Sequence, residues 1–282
     1  MKRGCTQCGE CLNVCPVYAL YKREEYAPKG KRLLLEQIDP EFGGSPDSSL
    51  PWEDIRELAH LCAGCERCQQ ACARKLSTSD LLAEARARNP HWTQTLWDMW
   101  IRRAGPLWPM AGKIAMLAPD SVIPGVLRSS VETARALVDL EPCEPWMTLR
   151  PTRKVSGVRV ALFSGCTAKN ARPRWISNAR QLLAGWGYDL VDIADFACCG
   201  GTLHHAGQLG ALAEVRERNL ELWRKAGKPV MASFCASCKH SLDSYTAVLS
   251  AEEGKEWKQK CVGLSSLLVE PQINPTGKAP AA

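Results

Sequence analysis

No apolar run of about 18 residues occurs in this chain, so no membrane-spanning helix is expected. No G-x-G-x-x-G fingerprint for a dinucleotide is present either; Gly200–Gly201 lacks the spacing. The net charge of +6 over 282 residues is modest, and it is spread over short runs such as Lys22–Arg23, Lys29–Lys31–Arg32 and Arg102–Arg103. These read as solvated surface, and no basic stripe with interleaved aromatics marks a nucleic-acid partner. Nothing before Cys5 resembles a secretion signal. An odd count of 15 cysteines in short runs also fits poorly with a secreted disulfide framework. The expected location is the cytoplasm, or the cytosolic face of a membrane as a peripheral protein.

What the chain does have is cysteine in a repeated pattern. Cys5, Cys8, Cys11 and Cys15 follow C-x2-C-x2-C-x3-C, and so do Cys62, Cys65, Cys68 and Cys72. This is the ligand run that bacterial ferredoxins use for a four-iron, four-sulfur cluster. Soft, electron-donating thiolates match iron–sulfur bonding better than imidazole or carboxylate. Two runs imply two clusters that exchange electrons, and structural zinc is the weaker alternative.

The expected organisation is α+β overall. Residues 1–88 form a mostly helical two-[4Fe-4S] ferredoxin-like domain. Within it, Gly43–Gly44–Ser45–Pro46–Asp47 reads as a loop. Trp52 to Leu61 reads as a helix with Ile55, Leu58 and Ala59 on one face, and Ser77 to Arg88 as another, capped by Ser77 or Ser79. Residues 89–154 form a connector rich in tryptophan and proline. It is either a membrane-surface or partner-docking segment, or simply short helices packed over the domains. Residues 155–270 alternate strands (Val158–Phe163, Tyr188–Ile193, Val230–Phe234) with helical patterns, which argues an α/β domain with a mostly parallel sheet. Residues 271–282 read as a flexible tail.

Five further cysteines follow those strands: Cys166 after the first, Cys198 and Cys199 after the second, Cys235 and Cys238 after the third. Loops leaving the C-terminal ends of parallel strands gather on one sheet edge, where ligands bind. Zinc takes four ligands and a redox C-x2-C pair only two, so a larger iron–sulfur assembly fits five thiols best. His204 and His205 are either proton donors near this site or partners of loop backbone. Lys239 either stabilises a reduced cluster or is solvated. Cys143 and Cys261 match no motif.

The spacing of Cys166, Cys198–Cys199–Gly200, Cys235 and Cys238 resembles the cysteine-rich CCG domain of heterodisulfide reductase. That domain recurs in the iron–sulfur subunits of glycolate oxidase and anaerobic glycerol-3-phosphate dehydrogenase. The first half is similar to the glycolate oxidase iron–sulfur subunit too. The similarity runs through Cys5-Thr-Gln-Cys-Gly-Glu-Cys-Leu-Asn-Val-Cys-Pro-Val-Tyr18, Ala27-Pro-Lys-Gly-Lys31, and His60-Leu-Cys-Ala-Gly-Cys-Glu-Arg-Cys-Gln-Gln-Ala-Cys72. Two departures stand out. Those relatives commonly carry two CCG domains where this chain has room for one, and Ala73 stands where the first quartet has Pro16.

The resemblance implies a noncubane four-iron cluster on Cys166, Cys198, Cys199, Cys235 and Cys238. It also implies crossed ligation of the quartets, since in two-cluster ferredoxins the fourth cysteine serves the other cluster. Cluster one then takes Cys5, Cys8, Cys11 and Cys72, and cluster two Cys62, Cys65, Cys68 and Cys15. The expected function is an electron-transfer subunit of a multi-subunit oxidoreductase. A flavoprotein or a quinone- or membrane-linked subunit would be its partner, and a partner could supply a second CCG domain. The alternative is a disulfide or heterodisulfide reductase acting at the third cluster, with those five cysteines as its catalytic candidates.

Overall fold

The computed structural model describes residues 4–38, 52–138, 147–193 and 195–276. The expected loop at 43–47, Cys143 and Trp146 lie outside the described residues. The chain divides into two compact units, Met1–Trp97 with Thr202–Ala211, and Asp98–Gly201 with Leu212–Ala282. The stretch 89–154, expected as a separate connector, is divided between these units. No helix among the described residues is long and apolar enough to cross a membrane.

In the first unit the sequence repeat is also a backbone repeat. Gln7 and Gly9 have φ of 55° and 84°, and the matching Gly64 and Glu66 have 59° and 55°. Left-handed residues on both sides of Cys8 and of Cys65 wind each loop tightly. For the two non-glycines this costs of order 1–2 kcal/mol each. Each loop then enters a short helix, Glu10–Asn13 or Arg67–Ala71, and these two helices pack together. The repeat breaks at the fourth cysteine. Cys15 caps helix Pro16–Tyr21, with Pro16 at the first position, where its missing N–H costs nothing. Cys72 instead closes its helix in extended conformation, and Ala73 continues into a turn.

Helix Pro28–Ile38 buries Leu35 against Ala59, Leu81, Leu82 and Ala85. It also buries Lys31 and Arg32, at 2% and 3% exposure, which corrects their reading as solvated surface. Arg32 Nη2 donates to the Ser77 carbonyl at 3.1 Å. Helix Thr78–Arg88 is capped by Ser77, whose Oγ accepts from the Asp80 N–H at 3.1 Å. Near its end the buried Arg86 donates to the carbonyls of Ala59 and, at 2.6 Å, His205.

The second unit is built on strands β1 (Met147–Pro151), β2 (Arg159–Phe163), β3 (Asp189–Val191), β4 (Val230–Ser233), β5 (Cys261–Gly263) and β6 (Pro271–Pro275). Four of them form a fully parallel sheet in the order β3-β2-β4-β5. Alternation along the strands supplies both faces, as expected of a parallel sheet covered by helices on each side. Ala161, Phe163 and Met231 join Leu220, Trp223, Tyr245 and Trp257, while Val160 and Ala232 join Leu183 and Trp186. The Trp223 and Trp257 rings meet edge to face at 4.9 Å. Cys261 lies buried in β5, where burial pushes its thiol up to about 12.

One expectation from sequence needs correction. The stretch from residue 271, read as a flexible tail, begins as β6, paired antiparallel with β1. The tryptophans of 89–154 do not act alike. Trp108 is buried on helix Ala104–Leu117 beside Ala104 and Ala171, whereas Trp92 and Trp97 are exposed.

Helix Leu209–Lys225 is tied to helix Ala251–Lys260 by ions: Arg224 grips Glu253 through two contacts of 2.8 Å, and Lys228 bridges Glu253 and Glu256. The Arg224 guanidinium holds the Glu253 carboxyl down to about 2. A lowered carboxylate adds stability above its unfolded pKa and loses it as pH falls through the folded one. Glu253→Gln should therefore destabilise the protein at pH 7, and the deficit should shrink between about pH 4.5 and 2. Denaturation midpoints of both proteins across that range provide the check; a deficit independent of pH would contradict it.

Candidate functional site

The parallel sheet decides where the third cysteine set goes. β2 leads through Ser164–Gly165 to Cys166, β3 is followed by Cys198 and Cys199, and β4 by Cys235, which caps helix Ala236–Asp243 carrying Cys238. Because β3, β2 and β4 are adjacent and parallel, their exits share one edge. The five thiols form a continuous chain of sulfur contacts: Cys166 to Cys198, Cys198 to Cys199, Cys199 to Cys238, and Cys238 to Cys235. Gly165, at φ 72°, lets this happen, since a Cβ there would stand 2.8 Å from Cys238 Sγ.

Within that chain some thiols donate and others accept. Hydrogen bonds from Cys198 and then Cys238 hold Cys199 down to about 3, against the effect of burial. Its bond to Cys198 likewise holds Cys166 down to about 7. Cys198 and Cys238 are pushed up as the donors. Thiolates are the metal-binding form, and Cys166 and Cys199 are the two held toward it.

A layer of polar side chains holds the cysteine backbone. Ser241 Oγ and Tyr245 Oη donate to the Cys199 carbonyl at 2.8 and 3.1 Å. Asn219 Nδ2 donates to the Cys198 carbonyl at 3.1 Å and to Tyr245 Oη at 3.0 Å, while its Oδ1 accepts from the Ala197 N–H. Asn170 holds the Cys166 carbonyl at 2.9 Å. Sequence reasoning missed these residues. The one available signal was Asn219, a fully buried amide on the apolar side of its helix.

In the first unit Cys15, Cys62, Cys65 and Cys68 line a single cavity, together with Lys31, Gly64, Thr78 and Ser79. Burial pushes the Cys68 thiol up, opposed by hydrogen bonds from the Thr78 side chain and amide. In the other loop, Cys11 is raised by burial and feels the charge of Cys68 and Cys5. Backbone N–H groups of Leu76, Arg74 and Lys75 hold Cys72 down, with Arg32 adding to the effect. The Arg74 guanidinium lies over Gly4, beside Cys5. Buried sulfur, amide donors and fixed cations suit an anionic cluster. Among the described residues no three Cys, His, Asp or Glu are drawn together as around a single metal ion. A four-iron cluster needs no such convergence, because each thiolate meets its own iron.

Lys239 pairs with Asp243 one turn along its helix, at 2.6 Å. His204 and His205 belong to the first unit. There His204 Nε2 meets Asp80 Oδ1 at 3.1 Å, and the His205 ring fills the space over Gly64, where a Cβ would come within 1.8 Å of it.

Comparison with known families matches residues 2–76 to the 4Fe-4S dicluster domain and residues 160–243 to the CCG cysteine-rich domain. The chain is thus an iron–sulfur protein that joins a dicluster domain to a CCG domain. Its homologues are iron–sulfur subunits of oxidoreductases. It is 26% identical to the probable glycolate oxidase iron-sulfur subunit of Bacillus subtilis and 24% identical to the glycolate oxidase iron-sulfur subunit of Escherichia coli, covering 95% of this chain and 65% of each relative. It is also 24% identical to one subunit of the dihydromethanophenazine:CoB–CoM heterodisulfide reductase of Methanosarcina acetivorans, over 83% of this chain and 55% of that protein. The chain therefore spans less than two thirds of the length of these relatives. No solved structure matches significantly.

Tyr245→Phe removes a donor to the Cys199 carbonyl and an acceptor for Asn219, both in the interior. It should cost about 1–3 kcal/mol, read as a lower denaturation midpoint. Ser266→Ala, which removes an exposed hydroxyl bond, should stay within about 0.5 kcal/mol. Equal effects of the two would refute the role given to Tyr245.

Proposed function

We propose that this protein is an electron-transfer subunit of a multi-subunit oxidoreductase, passing electrons between two [4Fe-4S] clusters and a third cluster on the CCG cysteines. Cys5, Cys8, Cys11 and Cys72 hold the first cluster in this reading. Cys15, Cys62, Cys65 and Cys68 hold the second. Cys166, Cys198, Cys199, Cys235 and Cys238 hold the third, of noncubane type. The observation that carries it is the grouping of thiols: Cys15 shares a cavity with the three nearest cysteines of the other quartet, and five more form one chain of sulfur contacts. A catalytic dehydrogenase subunit, with its own organic cofactor, would complete the enzyme. The second reading, reduction of a disulfide at the third site, draws on the five-thiol chain and the heterodisulfide reductase relative.

Anaerobically purified protein should contain about twelve irons per chain if three four-iron clusters are present. About eight would leave the third site without a cluster, and zinc there would overturn the assignment. Cys15→Ser and Cys72→Ser should each damage iron content and folding together, because each crosses between the quartets. With clusters intact and a chemical electron donor, the lone chain should not reduce disulfides; steady turnover would favour the second reading instead.

A further inference from the structure

Helix Pro28–Ile38 places two cations side by side in the interior of the first unit, and the ferredoxin-like fold alone gives no reason for them. Lys31 lines the same cavity as Cys15, Cys62, Cys65 and Cys68, and only 2% of it is exposed. Burial pulls its ammonium down, while the charges of Cys62, Cys15 and Cys68 push it back up and Arg86 opposes them. Arg32 is the next residue, turned by about 100° on the helix. It is anchored on the Ser77 carbonyl. Of the two, Lys31 is the one that lines the cavity shared by sulfur from both quartets.

Taking up an electron adds a negative charge to a cluster, and a nearby fixed cation favours that state strongly where water is excluded. Charge near a cluster and hydrogen bonding to its sulfurs are what set its reduction potential. We infer that Lys31 is an electrostatic regulator of the cluster held by Cys15, Cys62, Cys65 and Cys68, raising its reduction potential. This rests on the ligand sets proposed above. Arg86, which also acts on Cys62, adds to the field on the second cluster. Its guanidinium ties the Ala59 and His205 carbonyls together, so it serves the packing as well.

The test is a redox titration of the full chain followed by low-temperature paramagnetic resonance. Cys65→Ser and Cys8→Ser each alter one cluster and so assign the signals. Lys31→Gln should lower the second cluster's reduction equilibrium at least tenfold, about 59 mV for one electron, and leave the first unchanged. Lys31→Arg should keep the native value, and Arg32→Gln, which removes a cation that does not line that cavity, should shift the second cluster less than Lys31→Gln does. Should Lys31→Gln fail to retain iron, Lys31→Met fills the same space without charge and gives the same reading. Potentials that do not move, or that move together, with iron content intact would overturn the inference alone. A wild-type chain with fewer than about eight irons would instead sink the ligand sets beneath it.

Discussion

Negative sulfur inside a protein has to be met by backbone N–H groups and fixed cations, because an unmet buried charge costs several kcal/mol. Much of the first unit follows from that requirement. The paired left-handed residues around Cys8 and Cys65 wind the loops tightly. The amides after Cys72 point back at its sulfur. Lys31, Arg32 and Arg86 are carried into the interior by helices whose leucines and alanines pack on that side. The hydrophobic cluster around Leu35, Leu81 and Leu82 keeps those helices in place, so packing and electrostatics support one another.

The second unit meets the same requirement by other means. A parallel sheet brings three strand ends to one edge, and the residues leaving them carry the five thiols. Here the thiols satisfy one another, with Cys198 and Cys238 donating to their neighbours. The carbonyls beside them are held by Asn219, Ser241 and Tyr245. Tyr245 in turn lies against Trp257 with its ring nearly parallel at 5.5 Å, so the hydrogen-bonded layer is locked into the tryptophan core. Moving any of the three polar groups would disturb both the core and the loop.

Local features of the chain were readable wherever chemistry acts at short range. The x2-x2-x3 spacing, the cap at Ser77 and the apolar strands at 159–163 and 230–233 depend only on neighbouring residues. Short strands such as Cys261–Gly263 and Pro271–Pro275 were not readable, because three to five residues carry too little pattern without their partners. Lys31 and Arg32 misled for a related reason. A basic pair reads as surface unless the buried anions that draw it inward are known, and those anions come from cysteines some 15 to 40 residues away.

By itself, then, the sequence determined the inventory: thirteen cysteines in three sets, an α+β order of elements, and soft sulfur ligands with no nucleotide fingerprint. Only the tertiary structure decided the company each residue keeps. It put Cys15 among the cysteines of the other quartet, joined five thiols from three loops, and buried Lys31 in the cavity those quartet cysteines line. Composition and spacing act along the chain. Charge, burial and hydrogen bonding act across space, and those are what set how each cysteine behaves.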